Sequence, residues 1–162
     1  SLREVIANPH NIELRERMIY AEFLGTLAFG NSGVGIDHAL SHALGATCHL
    51  PHGLCCAVFL PSVLNYNRRD ENSAKLYAEL SRGLFPFETN KMTESQAIDY
   101  LEKQIEKLSE ECGTKRTLSS FGCFEESMIP KIAAKASRDG NVPRNPIVPT
   151  VEEFEEIIRK VL

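Results

Sequence analysis

Apolar residues in this chain recur three and four positions apart, and no segment alternates convincingly with a period of two. A helix gathers such spacings onto one face, whereas a half-buried strand needs alternation. The pattern therefore predicts an all-α, multi-helix bundle. Residues 13 to 30 (ELRERMIYAEFLGTLAFG) put Leu14, Met18, Ala21, Leu24 and Ala28 on one stripe. Its second half is rich in small residues, and Gly30, Gly33 and Gly35 mark the expected break. A second helix is expected from Ile36 to about Ala46. Pro51 interrupts, and His52 and Gly53 open a third helix, GLCCAVFLPSVLNYN. This one is apolar nearly all round, so it is expected at the centre, with Pro61 as a candidate kink.

The rest follows the same grammar. Residues 70 to 84 predict a surface helix and FPFETNKM a loop. Thr93 and Gln96 form a capping box ahead of a helix with Ala97, Leu101, Ile105, Leu108 and Cys112 on one face, ended by Gly113. TLSSFGCF is a connector. Residues 125 to 137 return to helical spacing through Ile129, Ile132, Ala133 and Ala136. DGNVPRNPIVP holds too many prolines for a helix. A second capping box, Thr150 with Glu153, starts a last helix with Phe154, Ile158 and Val161 inward. No Gly-rich loop follows a strand, so neither a dinucleotide fingerprint nor a P-loop is present.

Composition narrows the partners. The 162 residues carry 18 Lys and Arg against 22 Asp and Glu, a net charge of −4 with no basic block. Nucleic acid and anionic membranes are thus poor partners. No apolar run reaches the ~18 residues of a membrane helix, and SLREVIANPHN lacks a signal peptide's apolar stretch. A cytoplasmic setting is the expectation. The cysteines (Cys48, Cys55, Cys56, Cys112 and Cys123) are odd in number and form no C-x-x-C pair, so reduced, structural thiols are expected. Cys55 and Cys56, adjacent on a helix, diverge by about 100° and make poor joint metal ligands.

Four of the five histidines crowd into HALSHALGATCHLPH, residues 38 to 52. His38 and His42 share a helix face, one turn apart. Two imidazoles so placed can meet one metal, or one can bind while the other faces its open side. H-x-x-x-H alone also fits a pair on a solvated helix. The spacers, however, are Ala39, Leu40, Ser41, Ala43, Leu44 and Gly45, which suit a buried helix. A fixed backbone at Pro51 could aim His52 back toward His38. His49 reads as a loop histidine. Asp37 points about 100° away from His38, so it is expected on the helix surface or behind a ligand.

G-x-x-H-A-L-S-H-x-L-G, then P-H-G, then L-P-x-V-L-x-Y-N resembles the signature of the iron-containing (group III) alcohol dehydrogenases. Here it reads GIDHALSHALGATCHLPHGLCCAVFLPSVLNYN, residues 35 to 67. The tail FGCFEESMIPKIAAKASRDGNVPRNPIVPTVEEFEEIIRKVL resembles the family's closing stretch, with its D-G-x-x-x-x-N-P turn. The resemblance implies the C-terminal helical domain of the dehydroquinate synthase-like, iron alcohol dehydrogenase fold. It also implies that an α/β domain binding NAD(P) stands N-terminal to it in the family and is absent from this chain.

The family's metal, iron as a rule with zinc as the competitor, takes one aspartate and three histidines. His38 and His52 match two of those histidines. His42 matches a position beside the metal, near substrate and nicotinamide, where it would orient substrate or relay a proton. The remaining aspartate and histidine lie on an earlier helix that nothing here matches. The resemblance therefore implies a C-terminal fragment of an NAD(P)-linked alcohol/aldehyde oxidoreductase acting on small molecules, with two of four ligands and not competent alone. Where members often have proline after the middle histidine, this chain has Ala43; where small apolar residues follow P-H-G, it has Cys55 and Cys56. Without upstream neighbours the helix of residues 13 to 30 is expected to expose an apolar face and favour a homo-oligomer. Two other readings use the same residues: a helical metal-binding module without redox chemistry, and a helical interaction module.

Overall fold

The computed structural model describes residues 1–162 as nine α-helices and three short 3₁₀ turns, with no strand. The helices are α1 (Leu2–Ala7), α2 (Ile12–Ser32), α3 (Ile36–Cys48), α4 (His52–Asn67), α5 (Glu71–Leu84), α6 (Pro86–Thr89), α7 (Glu94–Glu111), α8 (Ile129–Ala136) and α9 (Val151–Arg159). The all-α bundle that the spacings predict is the fold that forms. No helix is long and apolar enough to cross a membrane.

Most of the core lies where α3, α4, α8 and α9 meet. Ile36, Leu40 and Leu44 of α3 pack with Phe59 of α4, Ile129 and Ile132 of α8, and Phe154 and Ile158 of α9, all without solvent exposure. Fully burying a side chain of this size stabilises by about 1.5–3 kcal/mol, before conformational entropy is counted. The near-continuous apolar surface of α4 is explained by its place between α3, α7 and α9. It stays helical through Pro61. A smaller cluster, Ala74, Ala78, Ala97 and Ile98, joins α5 to α7. Arg68 ties the end of α4 to α7 through Asp99 at 2.7 Å and Glu102 at 3.2 Å.

Both capping boxes form as the sequence indicates, at Thr93 with Gln96 and at Thr150 with Glu153. Gly113 adopts φ +69°, the left-handed conformation that ends α7. Between α2 and α3 the chain makes a close approach that only glycine permits. A Cβ on Gly35 would stand 2.4 Å from Asn145 Oδ1. That oxygen instead accepts the Ile36 backbone N–H at 3.3 Å and the Asn67 side-chain amide at 3.2 Å, while Asn145 Nδ2 donates to Asn67 Oδ1 at 2.7 Å and to the Ile147 carbonyl at 2.7 Å. One buried asparagine thus joins the start of α3, the end of α4 and the loop before α9.

Three local expectations are corrected. FPFETNKM is not all loop: Pro86 starts the single turn α6, because a proline lacks only an N–H that the first helical turn would leave unpaired. Helix α2 runs through Gly25 and Gly30 and stops at Gly33, which has φ +76°. The segment DGNVPRNPIVP holds one 3₁₀ turn, Val142–Arg144, and residues 126–128 form another before α8. The apolar stripe of α2 is exposed as expected: none of its 21 residues is buried.

Candidate metal centre

Helix α3 buries seven of its thirteen residues. His38 and His42 leave its remaining face toward the turn that leads into α4. That turn is tight. His49 ends α3 in the left-handed conformation, φ 54°, exposed and away from the cluster, and Pro51 caps the start of α4. His52, first residue of α4, is therefore carried back over α3. Ring centroids are 6.0 Å apart for His38 and His42, 5.1 Å for His38 and His52, and 5.2 Å for His42 and His52. The three sequence-predicted histidines form one triangle, and His49 lies outside it.

Each histidine has a distinct support. His42 Nδ1 lies 2.8 Å from Asp139 Oδ2, on the loop after α8. Asp139 Oδ1 accepts the Asn141 backbone N–H at 2.9 Å. Partial desolvation pushes the Asp139 carboxyl upward, but the His42 and Asn141 hydrogen bonds outweigh it and leave the group below its ordinary range. Sequence spacing carries no signal for Asp139, which stands 97 positions from His42. His38 is lowered from its ordinary value by desolvation first, then by the neighbouring His52 and His42. The lowered titration of His38 favours its neutral form, which is the form that ligates.

Two further residues sit behind the triangle. Of its two expected places, Asp37 takes the one behind His38 and not the helix surface. Its side chain is 17% exposed, Oδ2 lies 3.9 Å from His38 Nδ1, and buried Oδ1 has no hydrogen-bond partner. Burial pushes its carboxyl up to about 7, partly opposed by the Cys56 thiol beside it. Cys56, a poor joint ligand with Cys55, stands here without it. Four positions after His52, it shares that residue's helix face, and its Sγ stands 3.5 Å from His52 Nε2. Burial pushes this thiol up to about 11. One donor atom each from His38, His52 and Cys56 fall within 4.8 Å of one another. Cys55 instead turns fully into the core, so the adjacent pair diverges as expected.

Beside the triangle lies a recess of about 260 Å³ lined by Ser41, His42, Gly45, Ala46, Leu50 and His52. It is the size of a small organic molecule and its polar groups come mainly from the histidines. A larger recess of about 360 Å³ under α1 is lined by Leu2, Ile6, Leu60, Ile105 and Leu108 among others, with no carboxylate or imidazole. Chemistry therefore points to the smaller one.

The sequence pattern of the Fe-containing alcohol dehydrogenase family, C-terminal, matches residues 1–162. A 1,3-propanediol dehydrogenase of Citrobacter freundii is 33% identical over 162 residues, covering 99% of this chain and 40% of the relative. An NAD-dependent methanol dehydrogenase of Bacillus methanolicus is 30% identical over 163 residues, covering 99% of this chain and 41% of the relative. The solved alcohol dehydrogenase from Oenococcus oeni superposes with a TM-score of 0.92 at 33% identity, over 100% of this chain and 41% of that one. The chain thus spans about two fifths of the length of the relatives it matches.

Proposed function

Because the chain belongs to the Fe-containing alcohol dehydrogenase family, matching that family's C-terminal region, we propose that it is the metal-holding helical part of a longer enzyme that interconverts small alcohols and aldehydes with NAD(P). The observation that carries this reading is the triangle of His38, His42 and His52 at the mouth of a small recess, with centroids 5.1 to 6.0 Å apart.

The residues fit a divalent ion. Nitrogen donors converge from two helices, and a buried Asp37 oxygen lies behind them without a partner. His38 and His52 would hold the ion, iron or zinc, and donors outside this chain would complete its shell. Bound there, the ion would act as a Lewis acid that stabilises negative charge on the substrate oxygen. His42 has the other task. Its Nδ1 is engaged by Asp139, which fixes the tautomer and leaves Nε2 to orient substrate or move a proton. Ala46 and Leu50 contribute apolar wall to the recess. The nicotinamide would come from an α/β domain outside this chain, so the chain alone is expected to be inactive.

The test is NAD(P)H-dependent aldehyde reduction, with metal analysis, on the longer protein and on this chain. The longer protein should be active, and His52→Ala should remove both metal and activity. His42→Ala should lower turnover while leaving the metal in place. Unchanged metal content after both His38→Ala and His52→Ala, or reductase activity in the chain alone, would overturn the assignment.

A further inference from the structure

Resting on that reading, we propose that Cys56 is a third ligand supplied by this chain, making a site of two nitrogens and one sulfur that prefers zinc to ferrous iron. His52 and Cys56 lie one helical turn apart on α4, and His38 reaches them from α3. The spacing of the donors is what one tetrahedral ion imposes. With bonds of about 2.3 Å to sulfur and about 2.0 Å to nitrogen, donors at the tetrahedral angle stand roughly 3.5 Å apart. Cys56 Sγ and His52 Nε2 already stand at 3.5 Å. All three donors fall within 4.8 Å, so the remaining gap closes by rotating side chains on two fixed helices.

The surroundings serve a bound thiolate. His52 is exposed, leaving an entry path, and Cys56 is half-buried beneath it. Ser41, whose buried hydroxyl has no other partner, lies against the thiol and can donate to a thiolate, while the Asp37 carboxyl on the other side opposes its charge. Binding replaces the S–H bond with a sulfur–metal bond and passes the proton to solvent. A soft thiolate among imidazoles favours zinc. Donors outside this chain would complete the shell, and the recess beside His42 and His52 offers room for substrate.

Cobalt(II) added to the chain tests the assignment, because a thiolate ligand gives cobalt a near-ultraviolet charge-transfer absorption that nitrogen and oxygen ligands do not. The expected result is that absorption at one equivalent, retained in Cys123→Ser and lost in Cys56→Ser. The zinc-over-iron preference should fall about tenfold or more in Cys56→Ser, on the scale of lost metal-site interactions. Circular dichroism checks that the variant folds. In the unmodified chain, zinc should protect Cys56 from iodoacetamide while the exposed Cys123 still reacts. Cobalt bound with ligand-field bands alone and an unchanged metal preference would overturn the thiolate and leave the histidine site standing. Absence of any binding by the chain would overturn the three-donor site, while metal content of the longer protein after His52→Ala still decides the histidine reading.

Discussion

Helices α2 and α3 are neighbours in sequence and opposites in structure. Both are rich in small and apolar residues. Yet α3 buries seven of its thirteen residues, while α2 buries none of its 21 and leaves Tyr20 at 63% and Phe23 at 52% exposure. The difference is not in the pattern but in what stands opposite. Helix α3 has α4 on one side and α8 on another, whereas α2 touches little beyond α1 and the loop around Arg144. An apolar stripe states that a face needs cover; only the rest of the chain decides whether cover exists. The same cover aims the site: α3 can direct His38 and His42 because its other faces are locked in the core.

The strongest challenge to this contrast is a cut into the locked side. Phe59 has no solvent exposure and packs where α3, α4 and α9 meet. Phe59→Ala should cost about 3–5 kcal/mol, seen as a fall in melting temperature on the order of 10 °C. A loss below about 1 kcal/mol would mean the core is loosely packed and cannot be what fixes the histidines. Next comes the polar joint. Asn145→Ala would strip partners from the Ile36 N–H, the Asn67 amide and the Ile147 carbonyl. Groups orphaned in this way cost about 1–3 kcal/mol, so denaturant unfolding should show a loss of about 2–3 kcal/mol. A neutral result would mean that Gly35 and Asn145 meet without anchoring α3.

What the sequence made legible follows from whether the signal is local. Capping at Thr93 and Thr150, the end of α7 at Gly113 and the break before His52 are decided within a few residues, so residue identity reveals them. The His38, His42, His52 group is also nearly local, because a helical turn and a proline-bounded loop set its geometry. Asp139 was visible only as part of a turn, since its partnership with His42 depends on α8 packing against α3. Cys56 is a different case: H-x-x-x-C spacing joins it to His52 as plainly as H-x-x-x-H joins His38 to His42. The divergence of the adjacent pair Cys55 and Cys56 masks that relation. Asp37 illustrates what helical angles leave open: it diverges from His38 by rule, and only the packing of α4 decides that it lies mostly buried beside Cys56 and not on the surface.

The smallest expected effect sharpens the comparison most. Phe23→Ala removes the same ring as Phe59→Ala, from a helix of similar character, at a position already 52% exposed. If α2 stands uncovered in solution, the change should move stability by no more than about 0.5 kcal/mol, the ordinary scale for surface substitutions. Propensity points the same way, since alanine is the better helix former and offsets part of any lost contact. A loss approaching that of Phe59→Ala would show that the face is covered by something the isolated chain finds in solution, and the loss would then depend on protein concentration. A loss independent of concentration would place the cover within the chain itself. Measuring both variants at two concentrations therefore distinguishes an uncovered stripe from one that finds a partner.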